Sequence, residues 1–240
     1  GGNVLKTKVY CYNNGAGNSV SVSECTNNNP APAASGTHPT AVAGNPITNK
    51  IYVANEGSAN VTVIDGTNNS TTTVVAGTQP NAVAVNPVTN TIYVANFGSN
   101  NVTVINGTNN STATVAVGTN PVAVAVNPMT NKIYTANQIS NDVTIIDGTN
   151  NSMVTVAAGL FPNAVAVNPV TNKIYVANLV SNDVTVIDGT NNSTATVAAA
   201  TAPQAVADHS VSHKLYEDNN GRNNVTVITV ETNTKQTDSA

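Results

Sequence analysis

Charge is what this sequence has least of. Its 240 residues include 8 Lys and Arg and 12 Asp and Glu, together 8% of the chain, against roughly a quarter in an average soluble domain. A net charge of −4 with no basic stripe leaves nothing to neutralise phosphates, so nucleic acid is excluded as an expected partner. No apolar run approaches the roughly 20 residues that a membrane-spanning helix needs. No charged-then-apolar leader opens the chain either, so any signal peptide is expected to have been removed. Cysteine is scarce as well: Cys11 and Cys25 are the only two, compatible with an oxidising compartment without establishing one. Gly-rich phosphate loops, haem-attachment cysteine pairs and nucleophile elbows are all missing.

Asn and Thr are abundant instead, so solubility rests on uncharged polar groups. Low charge, high Asn and Thr and many strand-like segments fit proteins that work outside the cytoplasm. The expected location is therefore extracellular or at the cell surface, on composition alone.

Self-similarity organises everything else. Pro39, Pro80, Pro121, Pro162 and Pro203 are spaced by 41 residues at every step, and each opens a near-copy of one unit. Tyr52, Tyr93, Tyr134, Tyr175 and Tyr216 recur in the same register, and Tyr10 lies 42 residues before Tyr52, marking an upstream copy with one extra residue. Each unit holds four strand-like pieces, such as AVAV, KIYVA, VTVI and TATVA. Turn formers separate them: NPVTN, a loop such as NLVSND, DGTNNS, and a Gly-Thr-x-Pro link. Four short antiparallel strands per repeat is the pattern of a propeller blade. One such sheet cannot bury both faces alone, so neighbouring sheets must stack and cover Val, Ile and Tyr between them.

The expectation is an all-β, six-bladed β-propeller of four-stranded antiparallel blades, forming a single domain over 1–240. Its copies run 1–38 (partial), 39–79, 80–120, 121–161, 162–202 and 203–240. The first blade lacks most of its inner strand, because GGNVL supplies only the tail of one. A neighbouring segment, chain or domain is a candidate to complete it. At the other end ETNTKQTDSA replaces an apolar last strand with polar residues and reads as a protected outer edge.

IYVAN at 51–55, 92–96 and 174–178, followed by VTVID at 61–65 and 184–188, resembles the YVTN-type β-propeller repeat of archaeal surface-layer and bacterial exported proteins. Copies one and six depart from it, with VYCYN at 9–13 and LYEDN at 215–219. The resemblance implies a propeller and an exported location. It implies no single function, since related propellers include scaffolds, binders and a lyase acting on streptogramin antibiotics, and function resides in sites grafted on the fold.

Within the regular blades, Asp65, Asp147 and Asp188 occupy one turn position and read as turn acceptors. Departures from the repeat concentrate in copy six, where DHSVSHKLYEDN introduces Asp208, His209, His213, Glu217 and Asp218. His209 and His213 replace the two Asn that bracket the first turn, and with Asp208 they form a candidate trio for a transition metal. Glu217 and Asp218 lie roughly 13–17 Å from His213 along an extended strand, too far to join them. His38, in the link, is expected on the opposite end from His209 and reads as a solvated turn residue. Hairpin pairing sets Cys11 opposite Ser21, roughly 13 Å from Cys25, so a disulfide requires a distorted first blade.

Two functions follow. The first is a non-enzymatic surface module for binding or scaffolding. Here Asn55, Asn96, Asn137 and Asn178, with Ser58, Ser99, Ser140 and Ser181, present the same polar loop repeatedly to a glycan or surface polymer, where avidity multiplies weak contacts. The same residues serve equally as hairpin caps. No cofactor is expected on this reading. The alternative is a metal-assisted lyase or lactonase-type enzyme whose site is built from the divergent last blade; against it, enzymes generally break repeat symmetry at several blades.

Overall fold

The repeat folds as its alternation dictates. The computed structural model describes residues 8–12, 18–24, 30–209, 214–219, 224–229 and 234–239. Its strands form six antiparallel sheets, the blades of a six-bladed β-propeller. Among the described residues, blade one contains β1 (Lys8–Tyr12), β2 (Ser19–Glu24) and β3 (Pro30–Ala34), three strands where the other blades have four. Blade two contains β4 (Pro39–Asn45), β5 (Lys50–Asn55), β6 (Asn60–Asp65) and β7 (Thr71–Val75), hydrogen-bonded in sequence order. Blades three to six repeat this plan, and blade six carries the polar strand Thr234–Ser239 on its edge. Each repeat-opening proline is the first residue of its inner strand, where a missing N–H costs no ladder bond, and a register shift follows it at once.

The chain divides into two compact units: residues 1–99 with 103–113, and residues 100–102 with 114–240. In the first, Val20 and Ala33 of blade one pack on Ile51, Val53 and Ile64 of blade two. The opposite face of blade two, with Tyr52, Ala54, Val61 and Val63, packs on Ile92, Val94 and Ile105 of blade three. In the second unit, Tyr134, Ala136, Val143 and Ile145 meet Ile174, Val176 and Ile187, and Tyr175, Val184 and Val186 meet Leu215 and Ile228. Each of these interfaces from blade two onward sets a Tyr-bearing face against an Ile- or Leu-bearing face. Period-2 alternation supplies both faces from one strand, which is why the second and third strands are buried on both sides. Outer strands such as β7 keep their threonines in solvent.

Blade six departs. Its second strand, Lys214–Asn219, alternates exposed and buried rather than being buried throughout, and Tyr216 is 40% exposed where Tyr52, Tyr93, Tyr134 and Tyr175 are at most 1%.

The asparagine content has a backbone cause. Blades two to five each hold four non-glycine residues in the left-handed region, with φ between 51° and 62°. These positions end the 1–2 turn (Asn49, Asn90, Asn131, Asn172), precede the third strand (Ala59, Asn100, Asn141, Asn182), sit in the 3–4 turn (Asn69, Asn110, Asn151, Asn192) and precede the next proline (Gln79, Asn120, Phe161, Ala202). Asn tolerates this conformation better than other residues with a Cβ because its short amide bonds locally.

Candidate functional site

Two ends of each blade carry the polar side chains. At one end the loop between second and third strands meets the link that enters the same blade. Asn55, last in β5, is fully buried, and its Nδ2 donates to Asn60 Oδ1 (2.8 Å) and Thr62 Oγ1 (3.0 Å). Asn137 repeats this with Asp142 (2.7 Å) and Thr144 (2.9 Å), and Asn178 with Asp183 (2.7 Å) and Thr185 (2.9 Å). Asn96 donates to Thr103 at 2.9 Å, and Asn219 to Thr226 at 2.9 Å.

The threonine hydroxyl also accepts a backbone N–H from the link: Gly36 to Thr62, Gly77 to Thr103, Gly118 to Thr144 and Gly159 to Thr185, at 3.1–3.3 Å. One residue further on, the link donates to the loop serine: Thr37 to Ser58, Thr78 to Ser99, Thr119 to Ser140 and Leu160 to Ser181, at 2.9–3.1 Å. A Cβ at Gly36, Gly118 or Gly159 would collide with that serine's Oγ, so any other residue here requires the staple to shift. Copy six has Ala200 at this place.

The candidate Asn and Ser residues are therefore brought together within each blade as a staple between loop and link. The asparagine amides lie inside the sheet, and what faces solvent at this end is the loop they hold. Periodicity alone hides the third member, the threonine, although VTV and VTI keep Thr at this place in every copy from two to six. His38 lies in the same link region, exposed, and its carbonyl accepts the Glu56 N–H at 2.8 Å.

At the other end are the 1–2 and 3–4 turns. Asn45, Asn127 and Asn168, each at most 1% exposed, end their inner strands and accept turn amides at Oδ1, as Asn45 does from Ile47 at 3.0 Å. Asn45 and Asn127 send Nδ2 to the turn of the following blade, reaching Asn90 and Asn172 at 2.8 Å. The corresponding residue after Asn168 is His213. Asn168 donates to Asp208 Oδ1 at 3.1 Å. The new carboxylate thus accepts from an amide whose counterparts at Asn45 and Asn127 reach a turn asparagine of the next blade. Burial first, and the Asp208 carboxylate second, push the Tyr175 phenol well above its usual range.

His209 ends its strand opposite Lys214, with its side chain outside the described residues, and His213 lies outside them entirely. Glu217 is fully buried opposite Val206, and Asp218 is exposed opposite Ala205, toward the other end of the sheet and on opposite faces. Among the described residues no three His, Cys, Asp or Glu converge as metal ligands. Cys11 pairs with Ser21, the partner the hairpin predicts, while Cys25 lies outside the described residues.

In the 3–4 turns, Asp65, Asp147 and Asp188 each accept the N–H two residues on, from Thr67, Thr149 and Thr190, at 2.8–2.9 Å. Lys173 sits 2.7 Å from Asp188 and, with the Thr190 amide, holds its carboxyl at about 2.

No protein-family model matches the chain, and no curated protein matches it in sequence. Solved structures do. The Kuenenia stuttgartiensis hydrazine synthase aligns with TM-score 0.77 at 18% identity, over 93% of this chain and 74% of that one. A functionally unknown protein from Desulfotomaculum acetoxidans DSM 771 gives 0.76 at 14%, over 91% and 75%. A chain of a nidogen/laminin complex gives 0.68 at 10%, over 97% and 93%. At these identities the likeness is one of fold.

Proposed function

We propose that this chain is an exported or cell-surface propeller of the YVTN type that works as a non-enzymatic binding or scaffolding module. The carrying observation is the equivalence of blades two to five: the same Asn–Thr–Ser staple fixes the same loop in each. What a partner meets is thus one rigid surface element offered several times. Such repetition suits a glycan or surface polymer, whose own repeats allow several weak contacts to act together. The neighbour in complex with laminin supports a binding role for the fold and makes a protein partner the second class to screen.

Calorimetric titration with glycan and cell-wall polymer fragments, followed by a panel of extracellular matrix and surface proteins, tests this. The expected result is more than one equivalent of a short fragment per chain, and a longer fragment bound at least tenfold more tightly. A single site per chain, or turnover of a lactone or glycosidic substrate lost on replacing His209 and His213, would overturn it in favour of a metal-assisted lyase or lactonase in the last blade.

A further inference from the structure

The 3–4 turns hold a second repeated feature that the staple does not use. Each reads Asn-Asn-Ser: 68–70, 109–111, 150–152 and 191–193. The Asn-x-Ser pattern is the acceptor sequence for N-linked glycosylation, which requires a surface location and an exported protein. In a chain this rich in Asn, Ser and Thr the pattern alone says little, and three structural observations give it weight.

First, Asn68, Asn109, Asn150 and Asn191 are all exposed, as are the serines two residues on, whereas the intervening asparagines are half-buried. Second, each exposed asparagine adopts one conformation: its Oδ1 accepts the backbone N–H of Ser70, Ser111, Ser152 or Ser193 at 2.8–2.9 Å. That bond fixes the amide against the hydroxyl-bearing residue and leaves Nδ2, the reacting atom, with no partner among the described residues. Third, the remaining Asn-x-Thr sequences among the described side chains divide by exposure: Asn60, Asn69, Asn101, Asn110 and Asn192 are half-buried, whereas Asn106, before Gly107 and Thr108, is exposed and its Oδ1 accepts the Thr108 N–H at 2.9 Å as the four do. Asn60 Oδ1 takes the Asn55 amide, and the threonines, Thr62 and Thr103, are buried in the staple. The same motif is thus accessible at the exposed asparagines and sequestered where the third strand begins.

We infer that Asn68, Asn109, Asn150 and Asn191, together with Asn106, are N-glycosylation acceptors, so that the turn end of the blades carries N-linked glycans while the staple end stays bare. The step is a glycosyl transfer from a polyprenyl-diphosphate-linked oligosaccharide. A bond forms between Nδ2 and the sugar C1, the bond from C1 to the diphosphate oxygen breaks, the diphosphate leaves with the electron pair, and Nδ2 loses one proton. The inference rests on the exported location proposed above, though not on any binding partner.

The test uses the folded chain with a purified oligosaccharyltransferase that accepts the bare Asn-x-Ser/Thr sequence, a polyprenyl-diphosphate-linked oligosaccharide and a control acceptor peptide. Intact mass and peptide mapping are expected to find up to five glycans, on the named asparagines. Replacing Ser70, Thr108, Ser111, Ser152 and Ser193 by Ala keeps each backbone N–H and is expected to abolish modification of the named asparagines without shifting the melting temperature by more than about 2–3 °C. No modification of the folded chain while the control peptide is modified overturns the inference, whether or not heat-unfolded chain reacts. Glycans on the half-buried Asn60, Asn69, Asn101, Asn110 or Asn192 in place of the named asparagines overturn it too. Because the reaction is reconstituted, its failure leaves the binding proposal standing, and failed titrations leave the glycan map standing.

Discussion

Replacing Thr144 by Val puts the staple to a quantitative test with a control built into the same sheet. Thr144 is fully buried, and its Oγ1 accepts from Asn137 Nδ2 at 2.9 Å and from the Gly118 N–H at 3.3 Å. Valine keeps the volume and β-branching but removes the acceptor. Two donors then lose a partner they cannot replace from water at the Asn137 site, which costs about 1–3 kcal/mol for a buried group. Asn137 retains Asp142, so the sum is expected at about 2–3 kcal/mol rather than twice the upper value. Directly opposite in the register is Thr155 on the exposed outer strand. Thr155→Val makes the same chemical change in solvent and is expected to stay within about 0.5 kcal/mol. Urea unfolding reads the difference as a lower midpoint at unchanged slope. Equal midpoints for the two variants would falsify the staple as a source of stability.

Two further perturbations follow from geometry. Ala59 holds φ 51° where three other copies have Asn, and Asn141 and Asn182 use Oδ1 to accept the Phe161 and Ala202 N–H groups at 2.8 Å. Ala59→Asn is expected to relieve the conformation and bond the Gln79 N–H, raising stability by about 1–2 kcal/mol in thermal or urea unfolding; no gain would deny the left-handed cost. The Tyr134 hydroxyl is buried without a partner among the described residues, and burial pushes the phenol up to about 12. A raised value means the folded state holds the proton more tightly. Its contribution is therefore whole below pH 10 and lost between pH 10 and about 12, at about 1.4 kcal/mol per pH unit. Tyr134→Phe is expected to flatten that alkaline limb in melts from pH 8 to 12 and to add about 1 kcal/mol at neutral pH; a loss there would mean the hydroxyl is satisfied.

The blade plan was legible because the period of 41 and the strand alternation state it twice over. Cys11 opposite Ser21 followed from the hairpin in the same way. What the letters hid was which asparagines go inside. Asn55 stands at a strand end among turn formers and looks like a loop residue, yet it is fully buried because Thr62 and Asn60 accept from it across the hairpin. That pairing depends on register, five and seven residues away, rather than on composition. The role of Asp208 was hidden for a similar reason: reading it needs the cross-blade bond from Asn45 to Asn90, whose counterpart from Asn168 falls on a histidine.

The left-handed positions bear on how such a chain can diverge. A duplicated blade inherits asparagines that answer to backbone shape, and the 1–2 and 3–4 turns of blades two to five have kept theirs in every copy, whatever the chain binds. Resemblance at those sites is thus a record of architecture and carries no memory of a ligand. Positions released from that duty tell another history. Ile47, Val88, Met129 and Val170 fill one turn place in successive copies, differ from one to the next, and are 70–78% exposed. Selection for a partner can write there without disturbing the fold, so two propellers sharing every asparagine can still have parted company in function.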